Sequence, residues 1–266
     1  MNAHLLERHF AIIGARAKLR TDTRRNRTSG VSIDIGTDRF GEFFDIAASQ
    51  PDAVDVNVVD AQPRLRHLVL MSRDDDGKHK FLCGHDERHW FVAAVPETAA
   101  VSTVATAMEA LKPADVRRLQ RQVAVKPRKL NRRRNEVFVR QGEWFFLPVG
   151  GKFQLNKNLI LRNEPLRRGG GKPHFVEELF RDGGETVYVS TQHPNGLTPA
   201  QYERAISRQP KLRQLHWVVQ RRNPRVFVRG KVRHSDHKTI VLHDWHQVMM
   251  NTETQAIAMR NVAFID

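Results

Sequence analysis

The segment from residue 233 to residue 246 holds the side chains best suited to chemistry in this sequence. Its fourteen residues include four histidines and two aspartates around one short apolar strand. Imidazole binds metals and transfers protons near neutral pH, whereas a solvated strand face more often carries Lys, Glu, Thr or Ser. This composition would suit a metal site or a proton-transfer site. The alternative is a polar hairpin with Trp245 packed in the core.

A metal site at this strand would need ligands from elsewhere in the chain. Residues two apart on a strand share a face, so only ligands of matching parity or on neighbouring strands converge. His237 or His234 would therefore have to meet other histidines brought close by the fold. The candidate ligands for a divalent metal such as Zn or Fe are His174, His237 and His246, with Glu177 as a further ligand or a catalytic base.

Residues 83 to 90 form a second cluster, which could supply a nucleophile. A cysteine thiolate can attack a substrate when a nearby histidine activates it and an acid orients that histidine. The candidates are Cys83, His85 and His89, and the same side chains could instead bind a metal. The alternative is a small buried cysteine at a strand end, followed by a loop whose polar groups satisfy one another.

The sequence Arg-Arg-Gly-Gly-Gly-Lys at residues 167 to 172 suits phosphate groups, because cations flank a backbone that can expose its amides. It lacks the spacing of a Walker loop or a dinucleotide fingerprint. Further cations, interleaved with Trp217 and Phe227, predict a stripe that follows a phosphate backbone and stacks bases. A solvated loop with ordinary core aromatics is the alternative. The candidate nucleic-acid contacts are Arg132, Arg133, Arg134, Arg167, Arg168, Lys172, Arg221, Arg222, Arg229, Lys231 and Arg233.

The formal net charge of +15 is distributed unevenly along the chain. Residues 31 to 115 carry 8 Lys and Arg against 15 Asp and Glu, and residues 116 to 266 carry 29 against 12. A basic half of this size attracts phosphate polymers through Coulomb forces and counterion release. DNA or RNA is therefore the predicted partner, and the acidic segment could dock a protein. An Arg-rich solvated surface, an acidic protein partner or an anionic membrane would fit the same charge.

Cysteine content and hydropathy bear on the compartment. Cys83 is the single cysteine of the sequence, so no intramolecular disulfide can form. No run approaches the roughly 20 apolar residues that cross a bilayer, and charged residues interrupt the apolar start that a secretory signal requires. These features predict a cytoplasmic protein with no membrane partner. An organelle transit peptide is the alternative for the Arg-rich start.

Hydrophobic alternation predicts a mainly β protein of the β-rich α+β class. Strands are indicated between residues 31 and 70, in a hairpin of 80–83 with 90–95, and in short segments from 137 to 250, among them 239–242 and 247–250. Helices are indicated at 101–111, after Asp115, and from 198 to about 207, where Thr198 is the cap. An N-terminal antiparallel sheet with a helix should precede a C-terminal β-barrel or sandwich with one inserted helix.

Composition also divides the chain into four parts. Residues 1–30 are predicted to be a flexible basic arm, and residues 31–122 an acidic α+β domain. Residues 123–136 contain proline and many cations but little that could be buried, which is typical of a linker. Residues 137–266 would then form a basic β-barrel domain.

Three segments of the C-terminal half have a recognisable pattern: Val-Arg-Gln-Gly-Glu at 139–143, Gly-Lys-Pro-His at 171–174 and the run from 234 to 253. In these segments the chain resembles a family of uncharacterised small bacterial and phage proteins that begin with an RQGD-type strand. It implies a shared barrel. Residues 242–251 are also similar to the second cupin motif, in which a turn places a metal-binding histidine at the start of a strand. That resemblance implies His246 as one ligand, with His174 and Glu177 in place of the first motif.

Three functions fit these features. The preferred hypothesis is a nucleic-acid-binding accessory protein that contacts the phosphate backbone with low sequence specificity. The first alternative is a metal-dependent cupin-like enzyme, and the second is a non-catalytic assembly or interaction protein whose acidic and basic segments associate head to tail. The sequence leaves open whether any reaction is catalysed, which nucleic acid binds and how many copies assemble.

Overall fold

A computed structural model describes residues 3–21, 31–48, 55–74, 77–151, 155–169, 171–257 and 259. The helices in these residues are α1 (Ala3–Ile12), α2 (Val104–Ala110), α3 (Ala114–Gln122) and α4 (Pro199–Arg208). None of them is long and apolar enough to cross a membrane. The strands are β1 (Ala17–Thr21), β2 (Val31–Asp38), β3 (Gly41–Ala48), β4 (Asp55–Gln62), β5 (His67–Asp74), β6 (Gly77–Asp86), β7 (His89–Val95), β8 (Val139–Gln141), β9 (Trp144–Pro148), β10 (Leu161–Leu166), β11 (His174–Asp182), β12 (Glu185–Ser190), β13 (His193–Leu197), β14 (Val218–Arg222), β15 (Arg225–Arg233) and β16 (Ile240–Met250).

The N-terminal half builds two sheets. A three-stranded sheet has the order β1-β3-β2, with β1 parallel to β3, and a four-stranded antiparallel sheet has the order β4-β5-β6-β7. The hairpin expected from residues 80–83 and 90–95 is confirmed by the pairing of β6 with β7. Asp74 pairs with Gly77, whose φ of +128° lies in the region that favours glycine.

The C-terminal half builds a six-stranded sheet and a smaller one. The six strands have the order β10-β11-β15-β16-β9-β8, and a three-stranded sheet of order β13-β12-β14 packs against α4. As expected, α4 starts after Thr198, whose hydroxyl accepts a hydrogen bond from the Gln201 amide. The segments expected as two strands, 239–242 and 247–250, belong to the single strand β16.

These sheets confirm a mainly β protein of the β-rich α+β class. The expectation of a barrel is wrong, because β10 and β8 remain opposite edges of the six-stranded sheet and no described strand joins them. Short strands with Gly and Pro turns occur in open sheets as well as in barrels. Closure depends on strand tilt and stagger, which the hydrophobic pattern does not fix.

The start of the chain is folded onto the first core. Leu6, Phe10 and Ile13 are at most 4% exposed, and β1 pairs with β3. The three side chains recur at the spacing of one helical face, which places them together on α1 and just after it. The expectation of a flexible arm is therefore wrong for residues 3–21, and residues 22–30 lie outside the described part of the chain.

The segment predicted as a linker also packs against its neighbours. Within residues 123–136, Val125 is 8% exposed and belongs to an apolar cluster with Val116 of α3 and Phe145 of β9. Its prolines and cations indicate a turn-rich segment, and Pro127–Lys129 does form a single 3₁₀ turn. The division into two domains stays a prediction, and apolar contacts cross the proposed boundary.

Candidate metal centre

Three buried histidines meet beside the six-stranded sheet. One ring nitrogen each of His174, His234 and His237 lies within 4.8 Å of those of the other two. The residues are 0%, 9% and 7% exposed, respectively. The rings stack, with the His174 centroid 4.2 Å from that of His234 and 5.6 Å from that of His237. Among the described residues this is the one group of three or more His, Cys, Asp or Glu side chains with such spacing.

The start of one strand and one connection between strands position these rings. His174 is the first residue of β11, and the other two histidines lie in the connection between β15 and β16. The side chain of Gln141, at the end of β8, donates a 2.7 Å hydrogen bond to the carbonyl of Lys238 in that connection. Because Gln141 is only 1% exposed, this bond anchors the connection to a buried point.

The turn between β8 and β9 faces the imidazole edges through Gly142. A Cβ at this position would lie 3.0 Å from Nε2 of His237 and 3.4 Å from Nε2 of His174. The backbone φ of +56° at Gly142 also favours glycine over other residues. The two Nε2 atoms therefore border one small space that a larger residue would fill.

The ring nitrogens are suited to ligation by their protonation and their surroundings. Neither ring nitrogen of His174 has a hydrogen-bond partner among the described residues, and Nε2 of His237 has none among them either. Burial, followed by the positive charge of neighbouring His234 and His237, lowers the pKa of His174 to about 3. The imidazole is neutral at pH 7, which leaves a lone pair for a metal.

The carboxylate of Glu87, from the N-terminal half, lies close to the His237 ring. Oε2 of Glu87, in the β6–β7 turn, lies 3.7 Å from Nδ1 of His237 and accepts a 2.5 Å hydrogen bond from the Lys238 amide. Its Oε1 accepts a 2.6 Å hydrogen bond from Arg133. The 3.7 Å separation from His237 is too long for a hydrogen bond, so the carboxylate acts on the His237 ring through its negative charge, which favours a cation bound nearby.

His234 is held by a backbone contact that metal binding would change. Its Nδ1 accepts a 3.2 Å hydrogen bond from the amide of Asp236, whose carboxylate lies 2.6 Å from Nζ of Lys172. A histidine that binds a metal through Nε2 carries its proton on Nδ1. Metal binding through Nε2 of His234 would therefore break the hydrogen bond that Nδ1 accepts from the Asp236 amide.

A cavity of about 80 Å³ adjoins His237. Its lining includes His237 and Gly142 from the candidate centre, Leu82 from the four-stranded sheet, and the polar residues Arg140 and Glu143. A buried water needs about 10–15 Å³ of such space, so the cavity is large enough for several waters or a small ligand. A metal on His237 Nε2 could therefore reach a molecule in the cavity.

The donor set fits a transition metal. Neutral imidazole suits zinc, iron, copper and nickel, and the buried histidine triad could hold such an ion. Three protein ligands beside an open position is the arrangement of catalytic zinc sites, whereas structural zinc sites are closed by a fourth protein ligand.

Two residues of the predicted metal set lie elsewhere. His246 is on β16 opposite Val228, and its Nδ1 is 2.7 Å from the carbonyl oxygen of Asp244. Glu177 lies on the exposed side of β11, where its Oε2 accepts a 2.8 Å hydrogen bond from the Lys231 amide. The structure therefore brings His174 and His237 together with His234, which the sequence offered as an alternative to His237.

The predicted nucleophile is placed in the apolar core. Cys83 has no exposed surface, and burial raises the pKa of its thiol, which disfavours the reactive thiolate. His85 contacts the ring of Trp90 edge-on, and Nδ1 of His89 is 2.6 Å from Oε1 of Glu42. The buried cysteine matches the alternative interpretation, whereas His89 and the loop carboxylates bond to other segments and not to one another.

Five of the eleven predicted nucleic-acid contacts form ion pairs within the chain. The pairs are Arg133 with Asp86 and Glu87, Arg168 with Glu253, Lys172 with Asp236, Arg222 with Glu185, and Arg229 with Glu178. The guanidinium of Arg233 donates to the side chain of Asn163. Five others are exposed and form no ion pair with a carboxylate in the described ranges: Arg132, Arg134, Arg167, Arg221 and Lys231.

Sequence reasoning missed the contributions of Glu87 and Gly142. Glycine between two strands signals a turn, and a positive φ could have been expected at Gly142. Nothing in the sequence pairs Glu87 with His237, because the two residues are far apart along the chain. Comparison with protein-family models, with curated proteins and with solved structures found no match for this chain. The family and cupin resemblances therefore stay predictions.

Proposed function

We propose that the protein is a metal-dependent enzyme in which His174, His234 and His237 hold a zinc ion beside the adjoining cavity. The observation that carries the proposal is the convergence of three buried imidazoles, one of which, that of His237, lines a cavity. Zinc is favoured over iron because three neutral nitrogens are a zinc ligand set, whereas iron oxygenases typically add a carboxylate. A small polar molecule would bind in the cavity.

The metal would supply Lewis acidity and lower the pKa of a bound water. The residues of the chain would position the metal and the bound molecule and would exclude water. The negative charge of Glu87 near His237 would favour a bound cation, and Gly142 would leave room at the ligand edge. Arg140 and Glu143 in the cavity lining would orient the polar groups of the bound molecule. The apolar part of the lining would limit the entry of bulk water.

An accessible coordination position separates a catalytic site from a structural one. We expect Co²⁺ to replace zinc and to give visible absorption bands that shift when azide or thiocyanate is added. The same titration on His237→Ala should give no protein-bound Co²⁺ spectrum. His243→Ala, which removes an exposed histidine of β16, is the matched control and should behave as the wild type.

The result that would overturn the enzyme proposal is a bound Co²⁺ whose spectrum no added anion changes. That outcome would indicate a closed structural site. Absence of Co²⁺ binding by the wild type would overturn the metal site itself. Circular dichroism of each variant establishes that it is folded before its spectrum is compared.

Nucleic-acid binding is a second candidate function. It is supported by the net charge of +15 and by the exposed cations that make no ion pair with described carboxylates. The ion pairs within the chain weaken the continuous stripe first predicted, because they neutralise five of its members. Binding through phosphates should weaken steeply as salt rises. No interaction with an oligonucleotide in low salt would eliminate this candidate.

A further inference from the structure

The outer face of the six-stranded sheet carries a groove that the metal centre does not use. It has a volume of about 910 Å³ and is lined by Leu155, Lys157, Ile160, Arg162, Glu178, Arg229 and Trp245. Arg162, Glu178 and Arg229 come from the adjacent strands β10, β11 and β15. Their neighbours Leu179 and Val228 point into the core, so the charged side chains lie on the opposite, open side of the sheet.

Cations outnumber carboxylates in this groove. Glu178 is the single carboxylate in its lining, and it serves both Arg229, at 2.6 Å, and Arg162, at 3.8 Å. Lys157 adds a third cation. One carboxylate cannot neutralise three cations, so the groove keeps a positive potential that favours an anionic ligand.

The positive surface continues along β15. Lys231 and Arg233 are exposed on the same strand as Arg229. At about 3.3 Å per residue, Arg229 and Arg233 are roughly 13 Å apart along the strand. Glu177 also lies on the exposed side, so the side chains named along this track are five cations and two carboxylates. A track of this length matches a polymer of phosphates better than a single phosphate group.

The groove also offers a planar surface for stacking. The guanidinium carbon of Arg229 lies 5.1 Å from the centroid of the Trp245 ring. Glu178 holds that guanidinium through two nitrogens, Nε at 2.8 Å and Nη2 at 2.6 Å. Unstacked bases bind on aromatic rings and on arginine planes arranged in this way. An acidic peptide would use the cations but would gain little from the stacking surface.

We infer that this groove is a binding site for single-stranded nucleic acid, with phosphates on Lys157 and Arg162 and bases stacked at Arg229 and Trp245. The inference rests on the proposed nucleic-acid function and gives that function its site and its ligand class. Single strands are favoured over duplexes because stacking requires bases that are not already paired.

Fluorescence anisotropy of the full chain with a labelled 15-nucleotide oligo(dT) tests the inference over a range of salt concentrations. Trp245→Leu should weaken binding about tenfold or more, because it removes a base-stacking surface. Arg162→Gln should reduce the slope of log K against log salt by about 0.7, the value for one lost phosphate contact to a single strand. Arg162 is 81% exposed, so this variant should fold normally. Arg208→Gln removes an exposed cation of α4 and should change neither quantity.

The outcomes separate the site from the function. Equal binding by wild type, Trp245→Leu and Arg162→Gln would leave nucleic-acid binding intact and overturn the groove as its site. No binding of oligo(dT) or oligo(U) in low salt would overturn both. Tighter binding of a duplex of the same length, or equal competition by poly-glutamate, would overturn the ligand class. Loss of affinity in the two groove variants with the Arg208→Gln control unchanged would support the inference.

Discussion

The imidazole of His174 is fully buried, and neither of its nitrogens has a hydrogen-bond partner among the described residues. Leaving a buried polar group unsatisfied costs about 1–3 kcal/mol. Protonation of a second ring in the cluster would add repulsion between like charges. A metal on the ring nitrogens would offset these costs, which is the physical reason to interpret the cluster as a binding site.

The pKa of His174 makes the stability of the metal-free protein depend on pH. The unfolded chain binds a proton here near pH 6.5, whereas the folded chain does so only near pH 3. Between these values the unfolded state holds more protons, so the free energy of unfolding should fall as the pH falls, by about 1.4 kcal/mol per pH unit. Urea denaturation with a chelator present, at pH 6 and below, measures this slope.

His174→Gln removes the titrating group and should make that slope shallower by the same amount. His243→Gln, at an exposed position, is the control and should leave the slope unchanged. Identical slopes for wild type and His174→Gln would contradict the buried, neutral imidazole.

Gly142 gives a second test at the level of single residues. Gly142→Ala would put a Cβ 3.0 Å from Nε2 of His237, so zinc affinity should fall by at least tenfold. The substitution also adds strain because φ is +56°. Gly183→Ala has similar strain at φ +70° but would meet nothing within 4 Å, so its zinc affinity should equal that of the wild type. Calorimetric zinc titrations compare the two, and equal losses in both variants would attribute the effect to strain alone.

At the scale of elements, the candidate centre depends on strand pairing. The sequence identified His174 and His237 as candidate ligands from residue type alone. It could not select His234 over His246, because that choice depends on where the β15–β16 connection lies relative to β11. A register shift between Val228 and Gly230 changes the pairing of β15 with β16, and such shifts leave little trace in a hydrophobic pattern.

The helix α1 and the strand β1 were missed for a different reason. The charge of this segment was interpreted as a sign of flexibility, although its apolar residues have the spacing of a helix. Arginines between residues 8 and 27 suggested a solvated arm, although Leu6, Phe10 and Ile13 have helical spacing. In the structure the Phe10 ring centroid is 4.8 Å from that of Phe44. Among the described cations, Arg8, Lys18 and Arg20 are exposed, and they do not prevent burial of the apolar face.

Docking of α1 predicts a large effect of truncation at Phe10. Phe10→Ala should lower the free energy of unfolding by about 3–5 kcal/mol, because the ring is fully buried. Ile12→Ala, at a side chain that is 53% exposed, should change it by no more than about 0.5 kcal/mol. Chemical denaturation followed by circular dichroism measures both. A small effect of Phe10→Ala would favour the flexible arm.

At the scale of the whole molecule, the acidic and basic parts meet within one chain. Arg133 forms ion pairs with Asp86 and Glu87, and the Lys238 amide donates to Glu87. The sequence predicted the charge asymmetry and left open whether it acts within or between copies. The head-to-tail assembly of separate copies stays a prediction. The ion pairs within one chain neutralise part of the charge that would attract a second copy.

The fold class, the β6–β7 hairpin and the start of α4 were predictable because they follow from local patterns of alternation and capping. The open six-stranded sheet and the convergence of three histidines were not, since both depend on contacts between distant segments. Glu87 illustrates the limit. Its place behind His237 arises only because the N-terminal sheet packs against the β15–β16 connection.

The central claim is that the histidine cluster binds a metal ion. The most direct measurement is the zinc content of the purified chain after zinc loading and desalting, determined by mass spectrometry for wild type, His174→Ala, His237→Ala and His243→Ala. We expect about one zinc per chain in wild type and His243→Ala, and less than a tenth in the two cluster variants. Retention of one zinc by His174→Ala and His237→Ala, or less than a tenth of an equivalent in the wild type, would contradict the account.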